Sequence, residues 1–220
     1  MKNTLLLFLL ASVFGISQMW GQTITIVPNK TTTGSTSNSY VSSETDFTAS
    51  GIGWTINNWN PSNLQVRGNQ SSVGSNFQFS NNVAIPGSIT KITINRSSGT
   101  LVPSKIRLLV GTSEQTAISG GDAGSGSAST VSWSPETGNT FFKIYFENGG
   151  TSGTVLLTNI VIEYTAATNY TLTYNGNSNT AGTAPTAGSH ASGASITLPA
   201  AGSLTRTGYT FGGWNTNAAG

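Results

Sequence analysis

Ile89-Thr90-Lys91-Ile92-Thr93-Ile94 is a strong β run. A period of two sends alternate side chains to opposite faces, one toward a core and one toward water. The same reading extends outward in both directions. Upstream, Thr23–Val27, Ile52-Gly53-Trp54-Thr55-Ile56, Leu64-Gln65-Val66 and Phe77-Gln78-Phe79 alternate in the same way. Downstream come Ile106–Val110, Phe141–Phe146 and Val155–Tyr164. Between them stand turn formers: Asn57-Asn58, Asn60-Pro61, Asn81-Asn82, Ile85-Pro86-Gly87, Ser97-Ser98-Gly99 and Asn148-Gly149-Gly150. Many short strands with regular turns and no helix predict an all-β, jelly-roll-like sandwich of about eight or more strands over residues 22–165. Gly111–Thr130, rich in glycine and serine, reads as a long flexible loop.

Composition agrees with that class. Charged residues are 7 % of the 220, against about 25 % in an average domain, and serine, threonine, asparagine and glycine replace them. Aromatic residues at 9 % and a formal charge of only +2 argue against disorder. They also give no basic patch for nucleic acid or an anionic membrane. With no cysteine, disulfides, thiolate metal sites and a cysteine nucleophile are excluded together.

The N-terminus reads as an export signal. Met1-Lys2-Asn3 is a short positive start, Thr4–Ile16 is almost wholly apolar, and Ser17–Gln22 turns polar around the small Gly21. Cleavage is expected on one side or other of Gln22, leaving no transmembrane span in the mature chain.

After a linker at 166–169, residues 170–220 form a different pattern. Tyr170-Thr171-Leu172-Thr173-Tyr174 is an alternating strand that runs into Asn175-Gly176-Asn177. Further on stands Arg206-Thr207-Gly208-Tyr209-Thr210-Phe211-Gly212-Gly213-Trp214. The pair, with Tyr170, Tyr174, Arg206, Gly208, Tyr209, Phe211, Gly213 and Trp214 in register, closely resembles the Listeria–Bacteroides repeat, or internalin-type B repeat. The resemblance implies a small β-grasp-like unit used in tandem on envelope or secreted proteins. It also implies strands after Trp214, so the repeat is expected to be incomplete and the chain a fragment. From the residues alone, Gly208 and Gly213 permit tight turns, and Tyr209, Phe211 and Trp214 are expected in the core. Residues 22–164 resemble more loosely the sandwich modules of secreted Bacteroidetes-type proteins, through Phe47–Gly51, Ile85–Ile89 and Asn159–Tyr164.

Catalytic chemistry has little to draw on. Glu44 and Asp46 share a strand face but do not flank a substrate, and read as solvated. His190, the sole histidine, sits in a loop-like stretch without an acid nearby, and reads as surface. No nucleophile elbow, calcium loop, phosphate cradle or dinucleotide fingerprint occurs. The expectation is a non-enzyme within these residues, with neither cofactor nor metal. Trp54 reads as core. Asn58-Trp59-Asn60, on a turn, has two readings: a ring that stacks on a sugar with amides for its hydroxyls, or a ring packed back onto the sheet. Trp133 is a second candidate. The expected function is adhesion, scaffolding or ligand presentation at the cell surface, toward glycans or host or neighbouring surface proteins. The alternative is a carbohydrate-binding accessory module of a longer secreted hydrolase.

Overall fold

The structure is a computed structural model that describes the backbone of residues 3–10 and all of residues 21–192 and 194–216. Two compact units are formed: Trp20–Ala166, and the strand at 3–10 together with the residues after 166. The expected cleavage region up to Trp20 and the last residues, 217–220, lie outside the described residues, as does Gly193.

Strand β1 is Asn3–Leu10. The sandwich follows with β2 (Gly21–Ile26), β3 (Thr45–Ala49), β4 (Ile52–Asn57), β5 (Trp59–Asn60), β6 (Gln65–Val66) and β7 (Gln78–Asn81). It continues through β8 (Gly87–Ser98), β9 (Ile106–Gly111), β10 (Asp122–Ala123) and β11 (Ser125–Gly126). Its last strands are β12 (Thr130–Trp133), β13 (Phe141–Phe146) and β14 (Val155–Ala166). The second unit has β15 (Asn169–Asn175), β16 (Gly188–Ala191) and β17 (Tyr209–Asn215). One helical turn, Lys30–Thr33, is capped by Asn29, whose side-chain oxygen accepts the Thr32 N–H at 2.9 Å.

Two antiparallel sheets make the sandwich. One has the order β10-β9-β13-β7-β4-β3; the other runs β11-β12-β8-β14-β6-β5, with β2 also on β14. The chain crosses repeatedly between them, as in a jelly roll, so neighbours in a sheet are mostly distant in sequence. Alternation explains the core. Trp54, Ile56, Phe79, Phe142, Ile144, Phe146 and Leu108 point inward from the first sheet. Ile26, Ile92, Ile94, Val131, Leu157, Ile160 and Ile162 meet them from the second.

The run 89–94 needs one correction to parity. Ile89 is odd and Ile92 and Ile94 are even, yet all three are fully buried. The ladder with β14 resolves this: Lys91 faces Glu163 and Ile89 faces Tyr164, so Thr90 is an extra residue in a bulge. A bulge shifts the alternation by one and keeps all three isoleucines in the core.

Gly111–Thr130 is more ordered than a flexible loop. It contains β10 and β11, and residues 112–121 lie as a strap over the outer face of the six-stranded sheet, fastened by side chains of β13.

In the second unit the order is β16-β15-β1-β17, with β1 antiparallel to β15 and parallel to β17. An apolar run of this length suits a leader or a strand equally by periodicity. Here its backbone joins β15 to β17.

Candidate functional site

The Asn57–Asn60 corner is structural. Trp59 is fully buried, and its indole N–H donates to the Pro28 carbonyl at 2.8 Å. Asn58 sits at φ 54 and donates its amide to the carbonyls of Gly74 (2.9 Å) and Asn76 (2.8 Å). Asn60 accepts the Ser62 N–H. The Tyr40 hydroxyl donates to the Asn58 carbonyl, under the Arg67 guanidinium, which lies 3.5 Å from the ring centre. Burial pushes the Tyr40 phenol well above its ordinary range, against the opposing pull of Arg67. A ring with no exposed face cannot stack on a sugar. The reading of Trp59 as a sugar platform is therefore corrected: β5 pairs with β6 and turns the indole into the core.

Trp133 is also turned inward. It is 5 % exposed and donates its indole N–H to the Asp122 carbonyl at 3.1 Å. Its ring edges a cavity of about 190 Å³ shared with Leu108, Asp122, Ser125, Ser132 and Pro135. Trp59 and Trp133 do not line an exposed groove.

The repeat motif has a clear local logic. Gly208 and Gly213 take φ of +81° and +122°, which side chains disfavour. Arg206 lies 4.4 Å over the Tyr209 ring and donates to the Asn177 carbonyl at 3.2 Å, tying the motif to the turn after β15. The ladder with β1 is shifted between Phe211 and Trp214, a bulge that brings their rings to 5.5 Å. Trp214 also meets Tyr174 at 4.8 Å and packs on Leu204. The expected burial of all three aromatics is corrected. Trp214 is half-buried, but Tyr209 and Phe211 are 39 % and 37 % exposed, and Tyr170 on β15 is 42 % exposed. β17 is an edge strand of its sheet, and the segment around Pro199 and Leu204 covers it at Trp214.

Glu44 and Asp46 are exposed, as expected. Asp46 accepts the Thr55 hydroxyl at 2.5 Å and the Asn82 amide at 3.4 Å. His190 lies on β16 opposite Tyr170, in a strand and not in a loop.

The residues that sequence reading missed are on β13. Phe142, Ile144 and Phe146 fill the core, yet Lys143 and Tyr145 on the outer face are also buried, at 7 % and 1 % exposed. The strap covers them: Lys143 Nζ donates to the Thr116 carbonyl at 3.3 Å, and the Tyr145 hydroxyl donates to the Gly120 carbonyl. Burial, reinforced by Glu147, raises the Tyr145 phenol. A lysine inside Phe-Phe-Lys-Ile-Tyr-Phe was the available signal, since a half-exposed strand has no need of five aromatic or aliphatic neighbours around one charge.

Burial holds the Lys143 ammonium below its ordinary range, with Glu44 and Glu114 pulling back. The unfolded chain then binds that proton more tightly, so stability rises with pH between the folded and unfolded values. Lys143→Met is expected to add about 0.5–1 kcal/mol at pH 7, a small gain because the ammonium keeps some water. Its advantage should shrink as pH climbs toward the ordinary lysine value of about 10.4. Urea unfolding of both proteins at pH 7 and pH 10 measures this. A variant less stable than wild type at pH 7 overturns the account.

No curated protein and no solved structure matches the chain. Residues 170–220 match the family model of the Listeria-Bacteroides repeat domain, whose repeats are found in extracellular and surface proteins.

Proposed function

We propose that this chain is an exported modular protein that holds a β-sandwich outside the cell beside a Listeria-Bacteroides repeat, and that it acts in adhesion, scaffolding or ligand presentation without catalysing a reaction. The observation that carries this reading is the repeat match over 170–220 next to a separately packed sandwich. The apolar stretch after Lys2 supports export. Tyr209 and Phe211, exposed two residues apart on β17, support a role in contact, since neighbouring exposed aromatics mark interaction sites.

The test is cell fractionation with N-terminal sequencing. The accumulated protein is expected outside the inner membrane and to begin near Gln22, while Leu7→Arg in the apolar stretch keeps it inside at full length. Wild-type protein that retains Met1 in the cytoplasm would sink the reading.

A second reading, a carbohydrate-binding accessory module, is favoured by the polar outer face of the six-stranded sheet and not by Trp59.

A further inference from the structure

β17 ends its sheet. Among the described residues β1 is its strand neighbour on one side and no strand stands on the other. Natural edges are commonly guarded by a charge or a proline, and Tyr209–Asn215 carries neither. A bulge between Phe211 and Trp214 interrupts the second half of the strand, so the open stretch is Tyr209–Phe211. The cover supplied by residues 199–204 stops at Trp214, whose indole N–H donates to the Pro199 carbonyl at 2.6 Å. Tyr209 and Phe211 stay exposed beyond it.

A cleft of about 230 Å³ opens at this stretch, lined by Asn179, Leu204, Arg206, Tyr209, Thr210 and Phe211. Buried Leu204 makes it apolar on one side, and Arg206 charges the other. That charge has no counterpart in its own unit. Every Asp and Glu of the chain lies between Glu44 and Glu163, and after Ala166 Arg206 is the one lysine or arginine. Among the described residues its guanidinium makes no ion pair, and of its five N–H donors it commits one, to the Asn177 carbonyl. The rest of the fork suits an outside carboxylate.

We infer that β17 takes an extended acidic peptide of a partner protein as an added strand. A carboxylate of that peptide meets Arg206, and an apolar side chain two residues along packs over Leu204 and Phe211. This rests on the reading of the chain as a contact-making surface protein. Two residues on a strand span about 6.7 Å, the step from Tyr209 to Phe211 along the cleft. An open strand edge offers alternating backbone donors and acceptors, which a peptide backbone answers and a sugar chain does not. A nucleic acid needs a row of cations, and this unit offers a single arginine at the cleft.

The full chain is tested on an array of ten-residue peptides in a threonine background, with glutamate and valine or phenylalanine two residues apart. Each peptide stands beside a twin with glutamine in place of glutamate, and the best pairs are titrated by calorimetry. At least one glutamate peptide is expected to bind saturably, and its twin about fivefold more weakly or worse. Methylating alternate backbone nitrogens of the peptide should abolish binding in one of the two phases and spare it in the other. Arg206→Gln should bring peptide and twin to equal affinity, while Lys91→Ala on the sandwich binds as wild type. The twins leave the protein untouched, so the role of charge is read even where Arg206→Gln does not fold. Four results overturn the site: no glutamate peptide preferred to its twin, a preference that survives in folded Arg206→Gln, binding indifferent to both methylation phases, or polygalacturonate bound and no peptide. Cell fractionation separates the two readings. A surface-located protein that prefers no acidic peptide loses only this site, and a cytoplasmic one that binds through Arg206 loses only the export reading.

Discussion

Trp54→Ala is expected to destabilise the sandwich by about 3–5 kcal/mol, a large part of what holds a domain of this size together. Trp54 is fully buried at the centre of an aromatic cluster. Its ring stacks on Phe79 at 5.3 Å with planes 12° apart, and tilts against Phe142 at 6.2 Å. The indole N–H also donates to the Ala49 carbonyl at 2.9 Å, which closes the β3–β4 hairpin. Alanine removes the ring contacts, leaves a cavity between stiff strands and strips the Ala49 carbonyl of a donor. Neighbouring β-branched residues have few rotamers with which to fill the space. Urea unfolding followed by fluorescence of the remaining tryptophans measures the loss. A change below about 1 kcal/mol would mean that the core relaxes around the gap and that close packing there matters little.

Removing residues 1–21 is expected to strip amide protection from β17 by on the order of tenfold or more. Among the described residues β17 has β1 as its one hydrogen-bonded strand neighbour, from Asn3 opposite Tyr209 to Phe8 opposite Asn215. Thr173, Tyr174 and Asn175 on β15 lose the same partner, while Tyr170, Thr171 and Leu172 keep their pairing with β16 and serve as an internal reference. Hydrogen exchange with peptide-level readout on the full and shortened chains makes the comparison. Unchanged protection at Tyr209–Asn215 would mean that another segment holds that edge. The result bears on function, because export by a cleaved leader would leave two open strand edges in the repeat unit, and open edges accept further extended chain.

The strands were legible because burial of one sheet face imposes a period of two within each strand, and five or six residues suffice to display it. Ile52–Ile56, Phe141–Phe146 and Val155–Tyr164 are read this way, and the structure has strands at all three. The repeat motif was legible for a different local reason. Gly208 and Gly213 meet backbone angles that other residues resist, and Arg206 reaches both Tyr209 and Asn177. Short segments whose conformation is set by their own residues can be read from those residues alone.

What lay beyond that reading depends on partners far along the chain. Whether Trp59 faces a sugar or the core turned on Val66 beside it and Pro28 at its indole, and neither is marked in Asn57-Asn58-Trp59-Asn60. The Thr90 bulge appears only against β14, more than sixty residues on. Lys143 and Tyr145 look like the wet side of a strand until the strap crosses them, and its composition alone suggested free loop. Periodicity reports that a face is buried but not what buries it. In a sandwich whose neighbouring strands are mostly distant in sequence, register, crossovers and the cover over Lys143 and Tyr145 are decided by long-range pairing, and so belong to the tertiary structure.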